Sequence, residues 1–170
     1  MIDVERLMEG AAQYGVQLTR EQGEQFDCYA ALLVERNQKI NLTAIVEPEE
    51  ILVKHFLDSL TLLSLWSPPA LQAHSTRVID VGTGAGFPGI VAKLYKPQLA
   101  LTLMEPTGKR VDFLRYVCGQ LGLEAEFVKE RAEEAARKRW REAFDVASAR
   151  AVAVVYARTS PPVPSSTPPK

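Results

Sequence analysis

One segment of the sequence combines an acidic residue with closely spaced glycines. Asp80 lies in the apolar run Val78 to Val81, and Gly82, Gly84 and Gly86 follow at alternate positions. The β-branched residues of the run are typical of a strand that is buried on both faces. Glycine tolerates positive φ and lets another group approach the backbone closely. The segment therefore predicts a strand and a tight turn that could hold a ligand beyond the carboxyl end of the strand.

The glycine spacing favours one kind of nucleotide loop over another. The dinucleotide pattern G-x-G-x-x-G fails directly after the strand, because Phe87 takes the place of its third glycine. A register two residues later fits formally but encloses Pro88. The series G-x-G-x-G after Asp80 instead resembles the nucleoside-binding loop of S-adenosylmethionine (SAM) methyltransferases. Two alternatives stay open, namely a nicotinamide site and a turn that only packs a helix on a strand.

The elements around this loop predict an α/β fold preceded by helices. Thr19 and Gln22 form a capping-box pattern ahead of a long helix, which Asn37 to Thr43 interrupts, and Pro48 opens another helix. Strands and helices then alternate, which predicts a parallel sheet with right-handed crossovers. The predicted strands are 77–81, 99–105, 125–129 and 144–149, and the predicted helices between them are 89–95, 109–121 and 131–140.

Composition excludes several classes of protein. The chain has 170 residues, 46% hydrophobic and 24% charged, which is typical of a soluble globular protein. Its net charge of -1 gives no overall basic surface for nucleic acid, so an RNA contact would need a local basic patch. We expect neither a signal peptide nor a membrane span, and hence a cytosolic protein. Cys28 and Cys118 are predicted to be buried reduced thiols, not metal ligands.

Candidate ligand-binding residues follow the predicted strands. Glu105 ends the second strand, where its carboxylate could accept both ribose hydroxyls of a nucleoside or cap the helix that follows Thr107. Ala132 and Glu133 follow the third strand, where SAM folds enclose the adenine with backbone hydrogen bonds. On sequence alone, a solvated helix charge is the favoured interpretation of Glu133.

Three further features have both a functional and a structural interpretation. Phe87 could form a wall of the ligand site or pack in the core, and Arg150 could meet a carboxylate, an RNA phosphate or only water. His55 and Asp58 lie one helical turn apart, and a structural hydrogen bond or a solvated face is favoured over catalysis. Two basic clusters could bind RNA phosphates or form a solvated surface: Lys109, Arg110 and Arg115, and Arg137, Lys138, Arg139 and Arg141.

Six sequence pieces, in order, carry a family resemblance. They are NLTAI from Asn41, VKHFLDSL from Val53, VIDVGTGAGFPG from Val78, GKRVDFL from Gly108, RAEE from Arg131 and ARAVA from Ala149. The chain resembles the bacterial 16S ribosomal RNA guanine-N7 methyltransferases, the RsmG (GidB) family. The resemblance implies a helical module before a SAM-binding α/β domain with a Rossmann-like sheet. It also implies methyl transfer to N7 of a guanosine in the decoding-region loop of 16S rRNA.

The resemblance also implies a site and its partners. The SAM contacts implied by position are Gly82, Phe87, Glu105, Pro106, Thr107, Ala132, Glu133 and Arg150, and Gly84 and Gly86 complete the predicted loop. The implied partner is 16S rRNA or the 30S particle, bound by a monomer without metal or membrane. Guanine N7 has a lone pair and no proton, so no catalytic acid or base is predicted.

The predicted organisation has four parts. They are a helical module (1–64), a connector (65–76), a partial SAM-binding domain (77–153) and a Pro/Ser-rich disordered tail (154–170). Members of the family continue through further strands, so we expect a sheet that is incomplete and truncated at its C-terminal end, with the fourth strand as an edge. Two other functions stay open: a non-catalytic fragment that retains SAM or RNA binding, and an NAD-dependent oxidoreductase.

Overall fold

The protein places helices before a largely parallel sheet, which confirms the predicted α/β class. The computed structural model describes residues 1–66, 76–135, 143–150 and 156–157. Its strands are β1 (Arg77–Val81), β2 (Ala100–Met104), β3 (Glu126–Val128), β4 (Val146–Ser148) and β5 (Tyr156–Ala157). Their spatial order is β3-β2-β1-β4-β5, and the first four are parallel. The carboxyl ends of these four strands therefore meet at one edge of the sheet.

Helices precede the sheet and connect its strands. They are α1 (Val4–Ala12), α2 (Arg20–Ile40), α3 (Pro48–Glu50), a π-helical segment (Ile51–Leu57), α4 (Asp58–Ser64), α5 (Gly89–Tyr95), α6 (Gly108–Gln120) and α7 (Ala132–Ala135). None of the helices that the structure describes is long and apolar enough to cross a membrane.

The long helix α2 begins as predicted and ends later than predicted. The Thr19 hydroxyl accepts from the backbone N–H of Gln22, and the Gln22 side chain accepts from the Thr19 N–H, so the capping box is confirmed. The helix continues to Ile40 and ends at Asn41, which has left-handed backbone angles, while the Asn37 side chain exchanges two hydrogen bonds with the backbone of Thr43. Asn37 thus belongs to α2 and also fixes the loop that follows it.

The predicted helix after Pro48 is confirmed, but its middle is wound differently. Ile51–Leu57 forms a π-helical segment between α3 and α4, and π-helical turns often occur at functional sites. The predicted buried residues are all buried: Ile51, Leu52, Phe56, Leu60 and Leu63. His55 is buried on the same segment. The apolar spacing thus predicts the buried face correctly without revealing the wider winding.

The strand-turn-helix unit at the centre of the sheet matches the prediction closely. β1 and α5 have the predicted bounds. Pro88 occupies the N-cap position of α5, and Gly89 begins the helix as predicted. The reason is that the Gly89 N–H donates to the Asp80 carboxylate (2.9 Å), which fixes the start of the helix.

Two other predictions are corrected. Cys118 is buried as expected, but Cys28 is exposed, because it lies two positions after buried Phe26 and so faces away from it on α2. β4 was predicted to form an edge, yet Tyr156–Ala157 pairs with it in antiparallel orientation. The rest of the predicted tail, most of the connector and positions 136–140 of the predicted last helix lie outside the described residues.

The helical module and the sheet share one hydrophobic core. Phe26 and Phe56 pack at 4.9 Å between ring centroids, and Tyr29 stacks on Phe87 at 5.3 Å. The Gln22 side chain donates to two backbone carbonyls at the end of α5, those of Leu94 and Tyr95. The helices therefore support the central turn of the sheet directly.

A side chain at position 89 is expected to clash with the sheet where α5 packs on it. A Cβ there would lie 2.6 Å from Leu103 Cδ2 and 2.8 Å from Asp80 Oδ2. We expect Gly89→Ala to lower the free energy of unfolding in urea by about 1–3 kcal/mol, the usual cost of overpacking.

The matched control is Gly119→Ala, because Gly119 is exposed in α6 and a Cβ there meets no atom within 4 Å. It should raise stability by about 0.5–1 kcal/mol through helix propensity. Equal effects of the two substitutions would contradict the packing argument.

Candidate functional site

The turn between β1 and α5 has one open face and one closed face. Gly82, Gly84 and Gly86 all have positive φ, at +64°, +58° and +103°. A Cβ at Gly82 or Gly84 would meet no atom within 4 Å, whereas a Cβ at Gly86 would lie 2.5 Å from the Tyr29 hydroxyl and from Ile90. The first two glycines thus leave backbone accessible to a ligand, and the third allows the turn to pack on the helical module.

Backbone hydrogen bonds hold the turn against the neighbouring strand. The N–H groups of Gly82 and Thr83 both donate to the carbonyl of Met104, at 2.9 and 3.2 Å. The Tyr29 hydroxyl donates to the carbonyl of Ala85 at 2.6 Å from the opposite side. The turn is therefore fixed by β2 and by α2 together.

Asp80 is fully buried beneath the turn and accepts three hydrogen bonds. Its Oδ2 accepts from the Thr83 hydroxyl (2.6 Å) and the Gly89 N–H (2.9 Å), and its Oδ1 accepts from the Ser148 hydroxyl (3.0 Å). Burial nevertheless raises the pKa of this carboxyl from 3.8 to about 7, because removal from water penalises the charged form more than the donors stabilise it. Asp80 has no free face for a ligand, so its role is to fix the turn.

Glu105, at the end of β2, brings a second carboxylate to the same turn. It is buried, its Oε2 accepts from the Gly84 N–H at 3.0 Å, and its Oε1 accepts from the Thr107 N–H at 3.2 Å. Arg110 lies 3.7 Å from Oε1. The hydrogen bond from Thr107 agrees with the second interpretation of Glu105, a cap for the helix that follows. The hydrogen bond from Gly84 directs the carboxylate to the open glycines.

A cavity of about 310 Å³ lies beside the open face of the turn. Its lining joins the turn, the end of β4 and the helical module, and consists of Leu42, Thr43, His55, Gly82, Thr83, Ala85, Phe87 and Arg150. Arg150 carries the positive charge of this lining, and His55 is the other titratable side chain in it. The cavity therefore presents a cation on one side and glycine backbone on the other.

Arg150 is held by the helical module. Its guanidinium contacts the carbonyl of Lys54, the Nδ1 atom of His55 (3.1 Å) and a carboxylate oxygen of Asp58 (3.1 Å). The guanidinium carbon also lies 5.6 Å from the ring centroid of Phe87. Arg150 is therefore the partner of His55 and Asp58 in their predicted structural role. The spacing of these two residues in the sequence does not reveal this partner.

A larger cavity, of about 680 Å³, opens at the opposite edge of the sheet. It is lined by residues at the amino ends of the strands, among them Arg77, Ala100 and Glu126. Parallel sheets bind ligands beyond the carboxyl ends of their strands. We therefore assign the candidate site to the smaller cavity beside the glycine turn.

The structure brings together five of the ten predicted site residues. Gly82, Phe87 and Arg150 line one cavity, and Gly84 and Glu105 share a hydrogen bond. Phe87 combines its two predicted roles, because its ring is buried between Tyr29 and His55 and also lines the cavity.

The remaining predicted residues lie around this centre. Gly86 packs against α2, Pro106 and Thr107 are exposed after Glu105, and Ala132 and Glu133 are exposed at the start of α7. Whether these residues contact a ligand stays a prediction.

The basic clusters are only partly described. In the first cluster, Arg110 faces Glu105, and Arg115 lies over the ring of Phe127 at 4.8 Å. The second cluster lies outside the described residues. Two of the three basic side chains on α6 thus have intramolecular contacts, and a role in RNA binding stays a prediction.

Sequence reasoning missed the contribution of the helical module to the site. Tyr29, Leu42 and Thr43 were not predicted site residues, and His55 was assigned a structural hydrogen bond or a solvated face. The signal was present in the motif pieces NLTAI and VKHFLDSL, which contain Thr43 and His55 and lie outside the α/β domain. Motif pieces of a family that lie on helices are informative when the helices reach the ligand-binding edge of a sheet.

Comparison with known proteins assigns the chain to a family. Residues 22–160 match the family described as GidB, rRNA small subunit methyltransferase G. The chain belongs to this family. This membership confirms the resemblance carried by the six sequence pieces, and it gives no support to the oxidoreductase alternative.

Curated relatives agree with this assignment. A ribosomal RNA small subunit methyltransferase G of Caldanaerobacter subterraneus is 45% identical over 152 residues, covering 88% of this chain and 62% of the relative. A protein of the same name from Alkaliphilus metalliredigens is 48% identical over 149 residues, covering 86% of this chain and 61% of the relative. The chain thus spans less than two thirds of the length of these relatives.

A solved structure is more distant. It is described as a putative protein-L-isoaspartate O-methyltransferase from Plasmodium falciparum in complex with S-adenosyl-L-homocysteine. It is 16% identical, with a TM-score of 0.44, covering 88% of this chain and 73% of that chain. A likeness of this degree does not by itself establish a common fold.

The Asp80 carboxyl is expected to titrate close to pH 7 in the folded protein, since burial raises its pKa to about 7. The folded protein then binds this proton more tightly than the unfolded chain, whose carboxyl has the ordinary value of 3.8. The resulting contribution to stability is complete below the unfolded pKa and is lost as the pH rises through the folded pKa. A ¹³C NMR titration of the carboxyl carbon measures the midpoint.

The control is Ser148→Ala, which removes the hydroxyl that donates to Oδ1 and should move the midpoint still higher. An ordinary midpoint near that of a solvated aspartate would contradict the burial argument.

Proposed function

We propose that this chain binds SAM and that it is part of a methyltransferase whose target is N7 of a guanosine in 16S ribosomal RNA. The family membership supports methylation of small-subunit rRNA, since that is the activity named for the relatives. The observation that carries the cofactor assignment is the hydrogen bond from the Gly84 N–H to the Glu105 carboxylate. It positions an acidic acceptor beside glycine backbone that is open to a ligand.

The charges and shapes of the site fit SAM. Glu105 offers carboxylate oxygens to ribose hydroxyls, and its negative charge disfavours a cofactor with a 2′-phosphate. Gly82 and Gly84 leave room for close approach of the nucleoside, because a side chain at either position would occupy that space. Arg150 provides a cation for the carboxylate of the methionine part. The site thus has a partner for each end of the molecule.

The proposed methyl transfer depends on positioning of the two reactants and not on proton transfer. SAM, when bound, supplies a methyl group that its positively charged sulfur already activates. Guanine N7 has a free lone pair and loses no proton on methylation, so no general base is required. The residues of the turn, Glu105 and Arg150 would fix the cofactor in line with the incoming base, and this alignment lowers the entropic part of the barrier.

The partners belong to the same proposal. The target would be 16S rRNA or the 30S particle, and the protein would bind it as a monomer in the cytoplasm. Because the chain covers 62% of the length of the Caldanaerobacter relative, a second candidate function is SAM or RNA binding without methyl transfer. The two candidates differ in whether this chain alone completes the target-base pocket.

A methyl-transfer assay separates the two candidates. We expect the chain to bind S-adenosylhomocysteine and SAM in isothermal titration, and to bind no NAD. Incubation with labelled SAM and 30S particles that lack the modification should then label guanine N7. Binding of SAM without labelling would leave the binding-only function, and binding of NAD without SAM would contradict the cofactor assignment.

The open face of the turn is tested by substitution of one glycine. We expect Gly82→Val to abolish detectable binding of S-adenosylhomocysteine, since its side chain would fill the space beside the cavity.

The matched control is Gly122→Val. Gly122 has φ of +65°, as against +64° for Gly82, and a Cβ there also meets no atom within 4 Å. Both substitutions carry a backbone strain of about 1–2 kcal/mol, but only the first lies at the proposed site. Equal affinity of the Gly82→Val variant and the wild type would show that the cofactor binds elsewhere.

A further inference from the structure

His55 occupies an unusual position for a histidine that the proposed reaction does not need. It lies on the π-helical segment, is 6% exposed, and stacks on Phe87 with ring centroids 4.3 Å apart and planes 6° from parallel. Its Nε2 atom lies 3.1 Å from the Thr43 hydroxyl, and its Nδ1 atom lies 3.1 Å from Nη1 of Arg150. One ring therefore contacts three walls of the cavity beside the glycine turn.

The partners of the ring determine where its proton resides. A guanidinium can only donate, so Nδ1 of His55 must accept from Arg150. The neutral ring then carries its proton on Nε2 and donates it to the Thr43 hydroxyl, whose oxygen also accepts from the Ile45 N–H at 3.0 Å. Burial, and then the charge of Arg150, lower the pKa of His55 to about 4. The ring is consequently a neutral connector between a cation and a loop.

Arg150 depends on this connector for its orientation. Among the residues that the structure describes, its other polar partners are the Lys54 carbonyl and the carboxylate of Asp58, which is more than half exposed. A free arginine side chain loses up to about 2 kcal/mol of rotamer entropy when it is ordered. A buried acceptor that orders the guanidinium before a ligand arrives reduces the cost of binding.

We propose that His55 is a positioning residue for cofactor binding: it holds the Arg150 guanidinium and the Thr43 loop on opposite walls of the cavity. This inference rests on the proposed function, because it takes the carboxylate of SAM as the ligand of Arg150. His55 touches neither the sulfur nor the target base in this role. Its loss should therefore weaken cofactor affinity and leave the fold in place.

Three substitutions at one position separate this role from simple packing. His55→Asn keeps an acceptor near the position of Nδ1, His55→Gln keeps a polar group near the position of Nε2, and His55→Leu keeps only volume. We expect His55→Leu and His55→Gln to weaken binding of S-adenosylhomocysteine by about tenfold, the usual effect of losing a hydrogen bond to a charged group. His55→Asn should stay within a few-fold of the wild type.

The matched control is Glu50→Gln, which removes an exposed ion pair with Lys54 on the same stretch of helix. It should leave affinity unchanged. If His55→Leu proves unstable, the affinities of the Asn and Gln variants still test the inference, since both side chains are polar and similar in size. Equal affinity of the Asn and Gln variants would overturn the inference.

A second measurement needs no ligand. Long-range ¹H–¹⁵N NMR of the unliganded protein at neutral pH should show His55 as the neutral tautomer with its proton on Nε2. A proton on Nδ1, or a doubly protonated ring, would overturn the inference.

The two proposals fail in different ways. If the wild type binds no S-adenosylhomocysteine, the proposed function fails, and the role of His55 in it fails too, whatever the tautomer. If the wild type binds and His55→Leu binds equally well, only the positioning role fails.

Discussion

The burial of one carboxylate organises this protein. Asp80 is removed from water, and a buried carboxylate without partners would cost several kcal/mol. Its three donors come from the turn (Thr83), from the start of α5 (Gly89) and from β4 (Ser148). Satisfying this group therefore fixes the path of the glycine turn, the start of the helix after it and the adjacent strand in one arrangement.

The shape of the turn explains why the helical module belongs to the site. With Asp80 below it, the turn exposes glycine backbone at Gly82 on one side and presses Gly86 against Tyr29 on the other. The Tyr29 hydroxyl then donates a buried hydrogen bond to the Ala85 carbonyl. The helices thus support the turn by packing and by a hydrogen bond, and they bring His55 to the cavity at the same time.

The sequence predicts the bounds of single elements well, but it does not predict contacts between residues far apart in the chain. β1 and α5 were predicted with their observed bounds, because apolar runs and glycines report on their own backbone. The contact of Arg150 with His55 joins positions 95 apart, and no periodicity encodes such a pairing. The π-helical winding was missed because it leaves the buried face intact, and the β4–β5 pairing was missed because two residues are too short for a strand pattern.

The electrostatics of the cavity are consistent with a reaction that moves no proton. His55 is the side chain there that could act as a base near neutral pH, but its Nδ1 lone pair is engaged by Arg150 and its pKa is about 4. Protonating the ring would place a second cation beside the guanidinium and remove the acceptor that orients it. The same contacts that order Arg150 therefore deprive His55 of general-base function. The proposed positioning role of His55 therefore agrees with the proposed methylation of a nitrogen that has a free lone pair, where alignment is the main contribution that the protein can make.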